Sequence, residues 1–250
     1  MNSNHNQAGN VAEQASYSAS PASQKAGRRL RVVELLLVLS VAFALPLYSS
    51  FYALLTGAPL SSRENSGDHV YSVILFEMNA LAVMAYVLFR QGRSWRELGW
   101  RFSWKDPLIA IGLCFVAEFA ARCGQYLIVL ASYAFSGQVA HLEPKNIPNF
   151  TLSVGAVLFM LINGFCEELI VRAYTISEVQ SLTGNITLAV AGSVVFQAAY
   201  HLYQGPLVAL GYMPLFLVYS LYYVRFKRIM PVAISHVIFD LLALMSLVRH

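Results

Sequence analysis

Residues 32–55 read VVELLLVLSVAFALPLYSSFYALL, a run with one charged residue, Glu34. As a helix this stretch rises about 36 Å at ~1.5 Å per residue, enough to cross a hydrocarbon layer ~30 Å thick. No strand-like alternation competes, and a backbone inside a bilayer must satisfy its own hydrogen bonds, which leaves helices. Outward from it the pattern repeats at 70–89, 107–135, 151–177, 186–203, 206–224 and 229–248. The fifth segment is the shortest. The expected fold is therefore all-α, a polytopic membrane helix bundle of about seven transmembrane helices.

Composition agrees. Hydrophobic residues make up 57% of the 250, charged residues 12%, and the mean hydropathy is +0.55. A soluble domain carries roughly 25% charged residues, so a soluble, disordered or nucleic-acid-binding protein is excluded. The net charge of +4 sits between apolar runs and forms no basic face. Cys114, Cys123 and Cys166 lie inside apolar segments at unrelated spacings and read as small packing residues.

Residues 1–28 are rich in Ser, Asn, Ala and Gln. Such a segment cannot offset its ordering entropy by burial, so a disordered cytoplasmic tail is expected. Residues 29–149 then hold the amino-terminal transmembrane helices and a short basic, aromatic stretch at 91–106. The Trp95, Trp100 and Trp104 of that stretch suit a membrane interface, either as an amphipathic stretch or as a charged loop. Residues 150–248 hold the remaining helices. With the amino terminus inside, twelve Lys and Arg fall on inner segments (25–31, 90–105 and 225–228) against three outside (Arg63, Lys145, Arg249). That asymmetry predicts an amino terminus inside and a carboxyl terminus outside.

Ionisable groups within spans cost several kcal/mol unless paired, so each is a functional candidate. Glu34 lies beside Arg31 near an inner end and reads as snorkelling. Glu77 has no local partner and reads as a neutral acid bonded to another helix. Glu118 and Arg122 stand at i and i+4 and read as a structural ion pair. The rest cluster late. In Glu167-Glu168-Leu169-Ile170-Val171-Arg172, helical spacing pairs Glu168 with Arg172, whereas Glu167 is turned about 100° away and can face a cavity. One acid is thereby fixed and ionised, and the other is free to exchange protons with a bound water. Gln197 and His201 share a face, as do His236 and Asp240, where an acid one turn from a histidine can orient the ring. From the segment ends above, Glu167 lies about 15 Å and His201 ~22 Å from the inner ends of their helices. The two are level only if tilt or the true boundaries make them so.

These three groups resemble the CPBP family of CAAX-protease and bacteriocin-processing membrane proteins, whose pattern is EExxxR, FxxxH and HxxxN or HxxxD. The first stands as Glu167-Glu168-xxx-Arg172 and the third as His236-xxx-Asp240. The second departs slightly: Gln197 lies four before His201 and Phe196 one position earlier, although His201-Leu202-Tyr203-Gln204-Gly205 looks like the family. The resemblance spans residues 150–248. It implies a glutamate-dependent intramembrane endopeptidase acting on a membrane-associated peptide or protein, prenylated substrates included, in a cell membrane such as the bacterial inner membrane. It also implies Glu167 as general base, His201 positioning the water, and His236 with Asp240 on the oxyanion side. Glu168 and Arg172 would be a structural ion pair. The aspartate in place of the family's asparagine means that Asp240 either carries a proton or only orients His236.

Three alternatives stand beside this expectation. A zinc-dependent peptidase could use the same acids and histidines, but no HExxH is present, so no cofactor is expected. A non-catalytic immunity or partner protein could keep the fold. A proton-coupled transporter ranks last, since the charges cluster late and no inverted repeat is seen.

Overall fold

A computed structural model of the chain describes residues 21–57, 67–143 and 153–248. Every regular element among the described residues is helical. In chain order they are α1 (Pro21–Thr56), α2 (Gly67–Arg90), α3 (Asp106–Ser136), α4 (Val154–Thr183), α5 (Ile186–Tyr200), α6 (Pro206–Phe226) and α7 (Met230–Val248), with a 3₁₀ turn at Leu202–Gln204. Five of these, α1 to α4 and α6, are long and apolar enough to cross a membrane, while α5 and α7 are shorter apolar helices. The chain is a multi-pass membrane helix bundle. Most of the expected disordered tail, residues 1–20, lies outside the described residues, as do Arg63 and Lys145. The described part of that segment, from Pro21, already belongs to α1.

Local chemistry sets the helix ends. Ser153 caps α4 by accepting from Ala156 N at 3.1 Å, and Asn185 caps α5 by accepting from Leu188 N at 3.0 Å. Pro107 and Pro206 open α3 and α6, where a missing N–H costs nothing. α4 runs to Thr183, six residues past the expected end at 177. The added residues are mostly polar, and Glu178 among them is fully buried and bonded to Arg31 and Arg93.

Those bonds gather the basic segments at one end of the bundle. Arg31 of α1 donates to Glu178 at 2.8 Å and to Ser181 at 2.8 Å. Arg228 pairs with buried Asp106 at 2.6 Å, and Ile229 N reaches Gly99 O at 3.2 Å. Glu34 is not snorkelling beside Arg31. It is buried and held by Arg90 and, at 3.0 Å, by Gln91. Residues 91–105 form a turn-rich loop. Trp104 is exposed, whereas Trp100 packs edge-on against Phe165 of α4 at 5.8 Å.

Two features of the interior place the site. The first is a π-helical turn inside α4, Glu168–Tyr174, covering the paired-acid segment. A wide turn leaves carbonyls poorly satisfied, and in a bilayer those must find partners. Thr175 Oγ1 donates to Ile170 O at 2.7 Å, Ser193 Oγ to Val171 O at 2.8 Å, and Tyr223 OH to Ala173 O at 3.2 Å. The second is the approach of α7 to α4 at Gly164, where a Cβ would meet Val237 Cγ2 at 2.7 Å. Only glycine lets these backbones come so close, and one turn on they present Glu168 and His236 to each other.

α5 has 15 residues and spans about 22 Å, short of a full crossing. The chain turns there through the 3₁₀ segment and Gly205, whose φ of 116° disfavours any side chain. Ser50 of α1 satisfies the turn: its hydroxyl donates to Tyr200 O at 2.7 Å and accepts from Tyr203 N at 3.3 Å.

Candidate active site

α4 and α5 are antiparallel neighbours joined at Gly184-Asn185, so residues equidistant from that joint lie side by side. Counting from it, Arg172 meets Gln197, and Glu167 meets Tyr200 and His201. The contacts follow this register. Arg172 donates to Gln197 Oε1, and Tyr200 OH donates to Glu167 Oε2 at 2.7 Å. The apparent difference in depth between Glu167 and His201 thus disappears once α4 is counted to its true end: both stand about 22–24 Å from the joint.

The two neighbouring glutamates have different surroundings. Glu168 is fully buried, and its Oε1 accepts from Arg172 Nη1 at 2.7 Å and from His236 Nδ1 at 2.7 Å. Arg172 is also fully buried, with its guanidinium 5.2 Å from the Tyr219 ring and 5.9 Å from the Phe216 ring. Glu168 and Arg172 therefore pair as their spacing predicts, and the pair reaches further, since it also fixes the ring of His236.

Glu167 is only half-buried, and its hydrogen bond comes from a neutral phenol. Tyr200 is itself held by stacking on Phe43 at 4.6 Å. His201 Nδ1 stands 2.9 Å from Gln197 O, so Nδ1 carries the hydrogen and donates it, leaving Nε2 to face its neighbours. Phe216 packs on its ring at 5.3 Å.

On α7, His236 and Asp240 remain partly open, at 14% and 22% side-chain exposure, in contrast to the sealed Glu168–Arg172 pair. Nε2 of His236 is 3.6 Å from Asp240 Oδ1, beyond hydrogen-bond length. The hydrogen bond that holds the His236 ring comes from Glu168 on another helix, with Asp240 at ion-pair distance on the opposite ring nitrogen. Asp240 is itself held by Asn163 Nδ2 at 3.3 Å.

Glu77 of α2 belongs to the same neighbourhood. It lies within electrostatic reach of Glu167, Asp240 and His236, and no helix partner bonds its Oε2 among the described residues. Glu118 and Arg122 pair at 2.7 Å with exposed side chains on the outside of the bundle. Tyr200 and Asn163 do not stand out in the sequence. Each carries one signal there, since Tyr200 adjoins His201 and Asn163 lies one turn before Glu167.

The arrangement gathers a half-open carboxylate, a histidine with a free ring nitrogen, and a second histidine held by a sealed ion pair. These are the groups needed to activate a water and to donate to a developing oxyanion. The three sequence segments that carry them fall in one stretch, and that stretch matches a family model. Residues 149–242 match the model of the Rce1-like type II CAAX prenyl endopeptidase family. No curated protein and no solved structure matches the chain in the corresponding comparisons. The matched, Rce1-like segment begins at residue 149, ahead of α4, and holds Glu167, Glu168, Arg172, His201, His236 and Asp240. That segment is thus similar to a family of membrane endopeptidases. Helices α1 to α3 lie before the matched segment. Among the described residues, no three His, Cys, Asp or Glu side chains are grouped as metal ligands. An apolar groove of about 430 Å³ between α5 and α6, lined by Val190, Val194, Met213 and Leu217, contains no ionisable group and is not this site.

Proposed function

We propose that the Rce1-like segment hydrolyses a peptide bond of a membrane-associated substrate with a water activated by Glu167. The observation that carries this is the contrast between adjacent acids. Glu168 is sealed and committed to two basic groups, whereas Glu167 is half-open and bound by a neutral hydroxyl. Tyr200 occupies one carboxylate oxygen and leaves the other for water. His201 Nε2 takes part in holding that water. His236, fixed through Nδ1 by Glu168, turns Nε2 towards the oxyanion side beside Asp240. The substrate is a lipid-embedded peptide or protein, with a prenylated CAAX-type tail as the class to try first. No nucleic acid partner is invoked.

The proposed chemistry is metal-free. Its test is cleavage of a farnesylated CAAX-type peptide by the purified protein in liposomes, with and without a strong chelator. Turnover unchanged by chelation supports water activation by Glu167 alone. Loss of turnover that zinc restores would make the enzyme a metalloprotease.

Asp240→Asn separates the roles open to that residue. Because Glu168 holds His236, the variant is expected to keep most of the wild-type rate, as an amide also serves beside the oxyanion. A loss of ~10²-fold or more, the scale of a lost catalytic group, would show that the carboxylate itself acts on His236.

We further propose that the basic end of the bundle faces the cytoplasm, in a bacterial inner membrane. Twelve Lys and Arg lie on segments that the Arg31–Glu178 and Arg228–Asp106 pairs draw towards one end. A reporter fused after His250 should then be active only on the outer side. Activity only in the cytoplasm would contradict this topology.

A further inference from the structure

Glu77 reaches the site from outside the Rce1-like segment. Its helix, α2, runs alongside α4: a Cβ on Gly155 would stand 3.5 Å from Val70 Cγ1, and two turns further Glu77 comes within reach of Cys166 and Glu167. His236 and Asp240 of α7 face it as well. Four carboxyl groups, Glu77, Glu167, Glu168 and Asp240, share this region with His201, whose Nδ1 is bonded to Gln197 O, and with two basic groups, Arg172 and His236. Both of those are bound to Glu168. Glu77 is left without a counter-ion, and its Oε2 is buried with no hydrogen-bond partner among the described residues. A buried, unpaired charge in lipid costs several kcal/mol, so the neutral acid form is the one the site accommodates. An unsatisfied, proton-bearing carboxyl facing the reacting centre calls for a partner that the described residues do not supply.

We propose that Glu77 is the proton donor to the departing amine, an assignment that rests on the hydrolysis attributed above to Glu167. Tyr200 and His201 approach Glu167 from α5, whereas Glu77 approaches from α2, so the two acids attend different atoms of the scissile bond. The water oxygen bonds to the carbonyl carbon, and its proton passes to the Glu167 carboxylate. As the C–N bond breaks, the nitrogen takes the proton of Glu77. The resulting Glu77 carboxylate is reprotonated from Glu167 through a second water. One water is consumed, one acid and one amine are formed, and both glutamates return to their starting states.

The test compares two substrates in full-length protein in liposomes. One is the prenylated peptide that the wild-type protein cleaves, and the other is the same peptide with a thioester at the scissile position. A thiolate departs without a proton, whereas an amine does not. Glu77→Gln is expected to lose ~10²-fold or more on the amide and to keep near-wild-type turnover on the thioester. A merely structural role would lower both rates together, and that outcome, or an unchanged amide rate, would overturn the proposal. Should Glu77→Gln not be recovered folded, Glu77→Asp retains the acid set back by one methylene and must show the same selective fall on the amide. An equal fall on both substrates again overturns it. Glu167→Gln serves as the reference. If it loses both substrates, the hydrolytic assignment stands whatever Glu77 does, and if it loses neither, that assignment fails first.

Discussion

Glu167→Gln is expected to fold normally and to lose ~10²–10⁴-fold in turnover, the range typical for removal of a general base. The substitution is isosteric. An amide at 167 can still accept from Tyr200 OH, so the packing of Tyr200 on Phe43 and the register of α5 against α4 are retained. What disappears is the basic oxygen that, in the proposed mechanism, takes the proton of water. The effect should appear in the chemical step, with substrate binding little changed. Measurement of kcat and KM on a prenylated peptide, beside thermal unfolding of the same preparation, checks both parts. Unimpaired kcat in the variant would end the glutamate mechanism.

Arg172→Ala is expected to fail differently, through folded yield before catalysis. Arg172 is fully buried among Glu168, Gln197 and the rings of Tyr219 and Phe216. Breaking a buried pair by removing one partner costs ~3–5 kcal/mol, because the other charge is left uncompensated. Glu168 would then face His236 alone, inside a π-helical turn that already depends on neighbouring hydroxyls. Arg172→Lys should recover part of the loss, since it keeps the charge but lacks the fork that reaches Glu168 and Gln197 together. Expression and thermal stability in detergent are the measurements. Wild-type stability in the alanine variant would remove the structural role of the pair.

Much of this arrangement is legible in the sequence, for a physical reason. Length and hydropathy report the bilayer constraint directly, so each of the seven apolar segments falls on a helix. Helical spacing also reports neighbours within one helix, which is why it joins Glu168 to Arg172. At His236 and Asp240 the same rule gives an approach of 3.6 Å, but it cannot show that a second acid, Glu168, reaches His236 from another helix at 2.7 Å. The π-helical turn leaves little local signature, since only Thr175 satisfies one of its carbonyls from the same helix and two others are bonded by Ser193 and Tyr223 from α5 and α6. Hydropathy falls at 177 and so places the end of α4 too early, whereas buried Glu178 is held by arginines distant in sequence. Glu77 stands out as an acid without a local partner. Its place beside Glu167 follows only from how α2 packs on α4.

The most direct test of an intramembrane protease that works through Glu167 does not require its substrate to be identified first. Membrane peptides would be compared in cells carrying the wild-type protein, Glu167→Gln, and a control altered only at the outward-facing Glu118. The account predicts a set of peptides with new carboxyl ends, at or near membrane segments or prenylated tails. That set should be present with the wild type and the Glu118 control and absent with Glu167→Gln at equal protein level. Identical peptide sets for wild type and Glu167→Gln would contradict it.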